Sequence, residues 1–171
     1  LHGWEHAICM PRGYAADINF ADGQLNRKNM DIKRIIKIKN EEETRNFGIE
    51  LGQNARPGQV IALIGDLGTG KTTLTGYIAQ GLGITENISS PTFTVVKEYE
   101  SGRIPLYHFD VYRIGDADEL FNIGAYEYFD GDGLCVIEWA DLILDELPED
   151  TDYIMIDYGS SEGERIYRCT F

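Results

Sequence analysis

The sequence predicts an α/β domain whose mixed, mostly parallel central sheet is flanked by helices and extended by antiparallel hairpins. Its 171 residues suit a single domain, since domains cluster near about 100 to 150 residues. Compact apolar runs at residues 60–64 and 134–137 are typical of strands buried on both faces. A helical pattern follows each run, as expected where helices cover a parallel sheet.

Residues 1–29 differ from the rest of the chain. They show neither helical nor strand periodicity, and patterned sequence begins at Met30. We interpret residues 1–29 as an extension, native or added, that lies outside the core. Residues 30–171 are then the folded domain.

An edge strand and a helix are predicted to open this domain. Residues 33–39 alternate charged and apolar side chains, which predicts a short edge strand. Asn40 and Glu43 have the spacing of a helix-capping pair, and apolar residues then recur every fourth position. The predicted helix ends at Pro57-Gly58.

The next elements alternate strand and helix. Residues 60–64 predict a central strand, and the helix after the glycine-rich loop carries apolar residues on one side until Gly83 ends it. Residues 92–99 and 104–111 are rich in β-forming residues and predict a hairpin. Acidic residues begin a predicted helix over residues 116–129.

The last third predicts a buried strand and a closing hairpin. The apolar run at residues 134–137 is followed by a predicted helix through Leu142 and Leu147. Residues 153–158 and 165–171 then predict an antiparallel pair.

A phosphate-binding loop lies between the central strand and the following helix. Gly65-Asp66-Leu67-Gly68-Thr69-Gly70-Lys71-Thr72 matches the pattern G-x-x-x-x-G-K-[ST] completely. Its glycines let successive N–H groups converge on phosphate oxygens, and the helix N-terminus adds partial positive charge. Lys71 is expected to bridge the β- and γ-phosphates and Thr72 to offer its hydroxyl to Mg²⁺, with Thr73 beside the nucleotide. The predicted fold is therefore P-loop NTPase-like.

GTP is disfavoured as the nucleotide, since no N-K-x-D guanine pattern follows the loop. ATP and Mg²⁺ are the predicted ligands. Mg²⁺ prefers oxygen ligands, so a carboxylate should end a neighbouring strand. Asp110, Glu138 and Asp157 each follow an apolar run. Asp157 is disfavoured, because it leads into the tip of a terminal hairpin, and the choice between Asp110 and Glu138 as the direct Mg²⁺ ligand stays open.

Two further residues are candidates with competing interpretations. His108 lies on the same strand face as Asp110, and a purely structural role is favoured over a contact to the acidic site. Thr92 follows Pro91 about twenty residues after the loop, where nucleotide switches often sense the γ-phosphate. Contact with that phosphate or with a water molecule, and a plain turn, are equally supported for Thr92.

Charge, the length of apolar runs and cysteine content argue against several classes of protein. Residues 98–171 hold 4 Arg and 19 acids, a net of −15 within a total of −14, which disfavours extensive direct nucleic-acid binding. No apolar run reaches the length of about 18 residues that a membrane span needs. The three cysteines are far apart and without a C-x-x-C pair, which disfavours disulfides and a zinc site and indicates a reducing cytoplasm.

Four segments together resemble the TsaE (older name YjeE) family of bacterial ATPases. They are the loop at residues 65–72, Ser90-Pro91-Thr92-Phe93, the stretch His108-Phe109-Asp110-Val111-Tyr112-Arg113, and Ile137-Glu138-Trp139-Ala140-Asp141. The resemblance runs from about Met30 to the C-terminus. As a set the segments are specific, although the loop alone is shared with unrelated ATPases.

The resemblance implies an ATPase that supports N6-threonylcarbamoyladenosine modification of tRNA at adenosine 37. It further implies two partners, the threonylcarbamoyl transferase and its non-catalytic partner subunit. By the same resemblance, Lys71 and Thr72 hold phosphates and Mg²⁺, and Asp110 and Glu138 complete the metal and water site. Thr92 belongs to the switch segment, Ser90-Pro91-Thr92-Phe93, and Trp139 lies close to the nucleotide.

Two other functions use the same loop. A small-metabolite kinase is disfavoured, because kinases usually need several cationic side chains and residues 98–171 contain only four arginines. A nucleotide-gated binding module with negligible turnover would need the same residues as an ATPase. The scarcity of arginine also predicts slow hydrolysis by the protein alone, with stimulation by a partner.

Overall fold

A computed structural model describes residues 30–171, in which seven strands form one sheet in the order β1-β7-β6-β2-β5-β4-β3. The predicted extension at residues 1–29 lies outside the described residues. The elements are β1 (Arg34–Ile38), α1 (Glu41–Asn54), β2 (Val60–Ile64), α2 (Lys71–Gly81), β3 (Val96–Tyr99), β4 (Leu106–Asp110), α3 (Ala117–Asn122), α4 (Ala125–Phe129), β5 (Leu134–Glu138), a 3₁₀ helix (Ala140–Glu146), β6 (Asp152–Tyr158) and β7 (Arg165–Cys169).

The centre of the sheet is parallel and its edges are antiparallel. Strand β2 pairs in parallel with β5 and β6, and β5 pairs in parallel with β4. Strands β3, β7 and β1 join antiparallel, so the mixed sheet with hairpin additions is confirmed. Every residue of β2 and β5 is buried, which explains why these strands are continuous apolar runs up to Glu138.

Helices cover both faces of the sheet. On one face, α1 and α2 pack over a core that includes Ile61, Leu63 and Leu74. On the other face, α3, α4 and the 3₁₀ helix pack over a second core that includes Phe109 and Ile137. The parallel strands between these layers end at one edge, where the phosphate-binding loop begins.

Glycines bring α1 and α2 together. A Cβ atom on Gly52 would lie 2.1 Å from the Ile78 carbonyl oxygen, and one on Gly81 would lie 2.3 Å from the Ile49 carbonyl oxygen. A side chain at either position would therefore force the helices apart. Helix α2 starts directly after the loop, so this packing also positions the loop's helical end.

Both ends of α1 are closed by side chains. At the N-terminus, Asn40 Oδ1 accepts from the Glu43 N–H at 3.0 Å, and Glu43 Oε2 accepts from the Lys39 N–H at 2.8 Å, which confirms the capping pair. Near the C-terminus, Arg103 Nη2 donates to the carbonyl oxygens of Gly52, Gln53 and Ala55 at 2.7, 3.1 and 2.6 Å. These bonds satisfy carbonyls that have no partner within the helix.

The hairpin is confirmed, but its first strand starts at Val96 rather than residue 92. Residues before it form a tight turn, in which the N–H groups of Thr94 and Val95 both donate to the Pro91 carbonyl. Val95 itself has φ +65°. Because the N–H groups of Thr94 and Val95 bond within the turn, they do not pair with a neighbouring strand, and β3 starts only at Val96.

Two predicted helices differ in the structure. The single helix over residues 116–129 is divided into α3 and α4 at Gly124, whose φ of +71° ends one helix and starts the next. The predicted helix through Leu142 and Leu147 is a 3₁₀ helix that ends at Glu146, with Ile143 outside helical geometry. Within residues 30–171, no helix has the length and apolar character to cross a membrane.

Candidate active site

The phosphate-binding loop joins β2 to α2, and its glycines meet separate backbone requirements. Gly68 and Gly70 have φ of +80° and +98°, which other residues rarely adopt. A Cβ atom on Gly65 would lie 2.6 Å from the Ile156 carbonyl oxygen and 2.8 Å from Thr69 Oγ1. The loop therefore curls closely against β6 before α2 begins.

Lys71, the first residue of α2, reaches back over the loop. Its Nζ donates to the carbonyl oxygens of Gly65 and Asp66 at 2.6 and 2.9 Å, and lies 3.9 Å from the centre of the Trp139 ring. Burial lowers the pKa of Lys71, while nearby carboxylates, chiefly Glu138, oppose that shift. The ammonium is held at the loop, where a phosphate could replace the two carbonyls.

Asp141 is a further, partly buried acid near this lysine. Its Oδ1 has no hydrogen-bond partner among the described residues. Burial raises the pKa of Asp141, and the positive charge of Lys71 opposes this shift. Asp141 therefore contributes to the electrostatic environment of the lysine without a bond to it.

Glu138 ends β5 and joins two other predicted residues. Its Oε2 accepts from Thr72 Oγ1 at 2.9 Å, and its Oε1 lies 2.7 Å from His108 Nε2. All of His108 is buried. The ring therefore contacts the acidic site and holds the carboxylate that faces Thr72, which agrees with the less favoured of the two interpretations of His108.

Asp110 ends β4 directly opposite Glu138, and it binds the segment that precedes β3. Its Oδ2 accepts from Ser90 Oγ at 2.5 Å and from Thr92 Oγ1 at 3.0 Å. Its Oδ1 accepts from the Tyr112 N–H at 3.0 Å. Thr92 lies in a turn, as one of its two interpretations expects. The Thr92 hydroxyl also contacts the acidic site through Asp110.

Trp139 forms a wall of the site in an unusual backbone conformation. It has φ +61°, the left-handed region that non-glycine residues seldom occupy. This bend turns the chain from β5 into the 3₁₀ helix and places the ring against Lys71 and Tyr112, whose ring centre is 4.8 Å away. Backbone strain of this kind is concentrated at functional sites.

These groups line one cleft of about 710 Å³. Most of the predicted site residues border it, namely Leu67, Gly68, Gly70, Lys71, Thr72, Thr73, Thr92, Asp110, Glu138 and Trp139. Gly65, Asp66 and Thr69 shape the loop without lining the cleft. Asp157 does not line it either, and its carboxylate pairs with Arg168.

Three lining residues were not predicted, namely Ser90, Tyr112 and Arg113. Each lies within a segment that carries the family resemblance, so those segments held the available signal. Arg113 places a cation at the cleft in a half of the chain with few cations, and its guanidinium lies 4.8 Å from the centre of the Phe93 ring.

The donor set suits Mg²⁺. Thr72 and Glu138 present hydroxyl and carboxylate oxygens side by side, and Asp110 presents a second carboxylate in the same cleft. Hard oxygen donors of this kind, in small number, are typical of sites where Mg²⁺ is also bound by substrate phosphates and water. Within residues 30–171, no group of three or more His, Cys, Asp or Glu residues could hold a metal ion by itself.

Comparisons with known proteins agree with the motifs. The family model for "Threonylcarbamoyl adenosine biosynthesis protein TsaE" matches residues 38–167. A Bacillus subtilis protein named tRNA threonylcarbamoyladenosine biosynthesis protein TsaE is 47% identical over 127 residues, which are 74% of this chain and 79% of that protein. A Nostoc protein of the same name is 40% identical over 145 residues, covering 82% and 88% of the two chains.

A solved structure shares the fold. The crystal structure of Bacillus subtilis YdiB is 41% identical in sequence, with a TM-score of 0.68, and the match covers 81% of this chain and 86% of that chain. The family match, the sequence identities and the shared fold together show that this chain belongs to the TsaE family.

Proposed function

We propose that this chain binds Mg²⁺–ATP in the cleft and hydrolyses it in support of tRNA threonylcarbamoyladenosine modification in the cytoplasm. We further propose that it acts with the threonylcarbamoyl transferase and that enzyme's non-catalytic partner subunit. The observation that carries the proposal is the contact of Thr72 with Glu138 beside the loop lysine. The names of the Bacillus subtilis and Nostoc relatives support the place in tRNA modification.

The loop would bind the triphosphate by charge and by backbone donors. Loop N–H groups and the N-terminus of α2 favour negative charge, and Lys71 would exchange its two carbonyl contacts for phosphate oxygens. This exchange is favourable because a phosphate offers the buried ammonium a full charge in place of two dipoles. Thr72 and a carboxylate would hold Mg²⁺, which when bound supplies positive charge against the phosphate oxygens.

The acids and the switch segment would orient the attacking water. Glu138 is fixed by His108 and Thr72, so one carboxylate can accept a proton or a hydrogen bond from water in a set position. Asp110 accepts hydrogen bonds from the hydroxyls of Ser90 and Thr92 and so holds them at the nucleotide site. The switch segment can therefore respond to the γ-phosphate. Catalysis of phosphoryl transfer relies mainly on such positioning and on charge.

A nucleotide-gated module with negligible turnover is the second candidate. The bonds of Ser90 and Thr92 to Asp110 favour it, because they link an exposed segment to the nucleotide site. Single-turnover phosphate release, measured with and without the transferase and its partner subunit, distinguishes the two functions. Release that the partners accelerate supports the ATPase, and binding without release supports the module.

Calorimetry tests binding itself. The full 171-residue chain is titrated with ATP in the presence of Mg²⁺, and saturable binding is expected. Lys71→Ala is the negative control, since it removes the loop ammonium. Absence of heat with folded wild-type protein would refute both nucleotide functions.

A further inference from the structure

The terminal hairpin β6–β7 holds the outer side of the phosphate-binding loop. Tyr158 Oη donates to the Leu67 carbonyl oxygen at 2.6 Å. Arg165 Nη2 donates to the Gly68 carbonyl oxygen at 3.3 Å, and Arg165 Nε donates to that of Thr69 at 3.0 Å. Three consecutive loop carbonyls are therefore bound by two side chains that lie more than ninety residues further along the chain.

Arg165 and Tyr158 also hold each other. They are direct partners in the antiparallel register of β6 and β7. The Arg165 guanidinium carbon lies 4.7 Å from the centre of the Tyr158 ring, and Nη1 donates to the Glu164 carbonyl oxygen at 2.8 Å. The guanidinium is thus oriented before it reaches the loop, which limits the side-chain entropy lost in holding it.

The direction of these carbonyls determines where the loop amides point. In a trans peptide plane, the carbonyl of one residue and the N–H of the next point to opposite sides. No peptide bond within residues 30–171 is cis. With the carbonyls of Leu67 and Thr69 turned to the hairpin, the N–H groups of Gly68 and Gly70 point away from it, and both glycines line the cleft.

From these contacts we infer that Arg165, whose guanidinium packs on the Tyr158 ring, is a positioning residue for phosphate binding. Together with Tyr158 it keeps the loop curled with the N–H groups of Gly68 and Gly70 toward the cleft. It does so from outside the cleft, because it donates to backbone carbonyls and does not line the cleft. The inference rests on the proposed nucleotide binding and adds a residue outside the loop. Lysine cannot reproduce this role fully, because a single ammonium lacks the fixed spacing of the guanidinium donors.

The chain offers a matched control in Arg103. That residue also donates to three backbone carbonyl oxygens, but they lie at the end of α1 and do not line the cleft. Replacing either arginine by Met removes one charge and a set of arginine-to-carbonyl bonds. Both variants should lose stability, whereas only Arg165→Met should lose nucleotide affinity if the inference is correct.

The experiment compares ATP and ADP binding to the full chain by calorimetry with Mg²⁺, together with thermal unfolding. Arg165→Met is expected to raise the Kd about tenfold or more, as loss of two hydrogen bonds to the loop implies. Tyr158→Phe, which keeps the ring and loses one bond, is expected to raise the Kd by about threefold. Arg165→Lys should recover part of the affinity, and Arg103→Met should bind like wild type.

Each outcome decides between the alternatives. Wild-type affinity in folded Arg165→Met, or an equal loss in Arg103→Met, overturns the inference. If Arg165→Met does not fold, Tyr158→Phe and Arg165→Lys decide instead, and unchanged affinity in both overturns it. If wild-type protein binds no nucleotide, the proposed function itself is refuted and the inference with it, and this result is distinct from the others.

Discussion

Asp110 and Glu138 lie directly opposite each other on the parallel strands β4 and β5, yet different side chains bind their carboxylates. Asp110 accepts hydrogen bonds from Ser90 and Thr92 in the segment before β3, whereas Glu138 accepts one from Thr72 on α2. One acid is therefore coupled to the switch segment and the other to the phosphate-binding loop. Substitutions at the two sets of contacts therefore test different parts of the site.

Glu138→Gln is expected to retain ATP binding and to lose turnover. The amide keeps the size of the side chain and removes its ability to accept a proton, which should lower single-turnover hydrolysis by about 10²- to 10⁴-fold. Lys71→Ala should lose both binding and hydrolysis. Normal hydrolysis by Glu138→Gln would transfer the role of base to Asp110.

Thr92→Val is expected to lower turnover with little change in stability. Valine has nearly the same shape but cannot donate to Asp110, so the switch segment loses one of its two hydroxyl contacts. Thr94→Val is the control, because Thr94 lies in the same exposed turn and does not line the cleft. Equal rates of phosphate release in Thr92→Val and wild type would contradict a role for this hydroxyl.

The isolated protein is expected to hydrolyse ATP slowly, below the range of about 1 to 10³ s⁻¹ common for enzymes. Arg113 is the one arginine among the residues described as lining the cleft, and its guanidinium lies against Phe93 rather than the loop. A partner that supplies or repositions a cation should increase the rate. Phosphate release measured with and without the transferase complex checks this, and equal fast rates would refute it.

Two glycine substitutions should have opposite effects on stability. Gly52→Ala places a methyl group 2.1 Å from the Ile78 carbonyl oxygen, so it should lower the free energy of unfolding by about 1 to 3 kcal/mol despite the better helix propensity of alanine. Gly76→Ala, on α2 with no atom within 4 Å of the added Cβ, should raise it by about 0.4 to 1 kcal/mol. Denaturant unfolding measures both changes in the free energy of unfolding. Changes of the same sign in the two variants would contradict the described packing of α1 against α2.

Alkaline pH should destabilise the domain through Cys135. Burial raises the pKa of this thiol from 9.0 to about 12, so between these values the unfolded state ionises while the folded state keeps its proton. Stability from this group is fully present below pH 9 and is lost as pH rises toward 12. Cys135→Ala should weaken that pH dependence. The measurement compares the melting temperatures of the variant and of wild type at each pH from 8 to 11.

Much of the fold and the candidate site could be predicted from local patterns. The apolar runs of β2 and β5, the capping pair at Asn40 and the glycine-rich loop each depend on residues close together in the chain. The glycine break at Gly124 was also visible in the sequence, but its left-handed φ depends on how α3 and α4 both pack on the sheet. Periodicity alone therefore predicted one helix where there are two.

Sequence by itself determined the loop, the strands around it and the family, because spacing within a short segment already defines the chemistry of phosphate binding. Only the tertiary structure decided that His108 holds Glu138 and that Arg165 reaches the carbonyls of Gly68 and Thr69. These contacts join residues thirty to nearly one hundred positions apart. Their existence depends on strand order and register, which arise from the packing of the whole sheet and leave no local pattern.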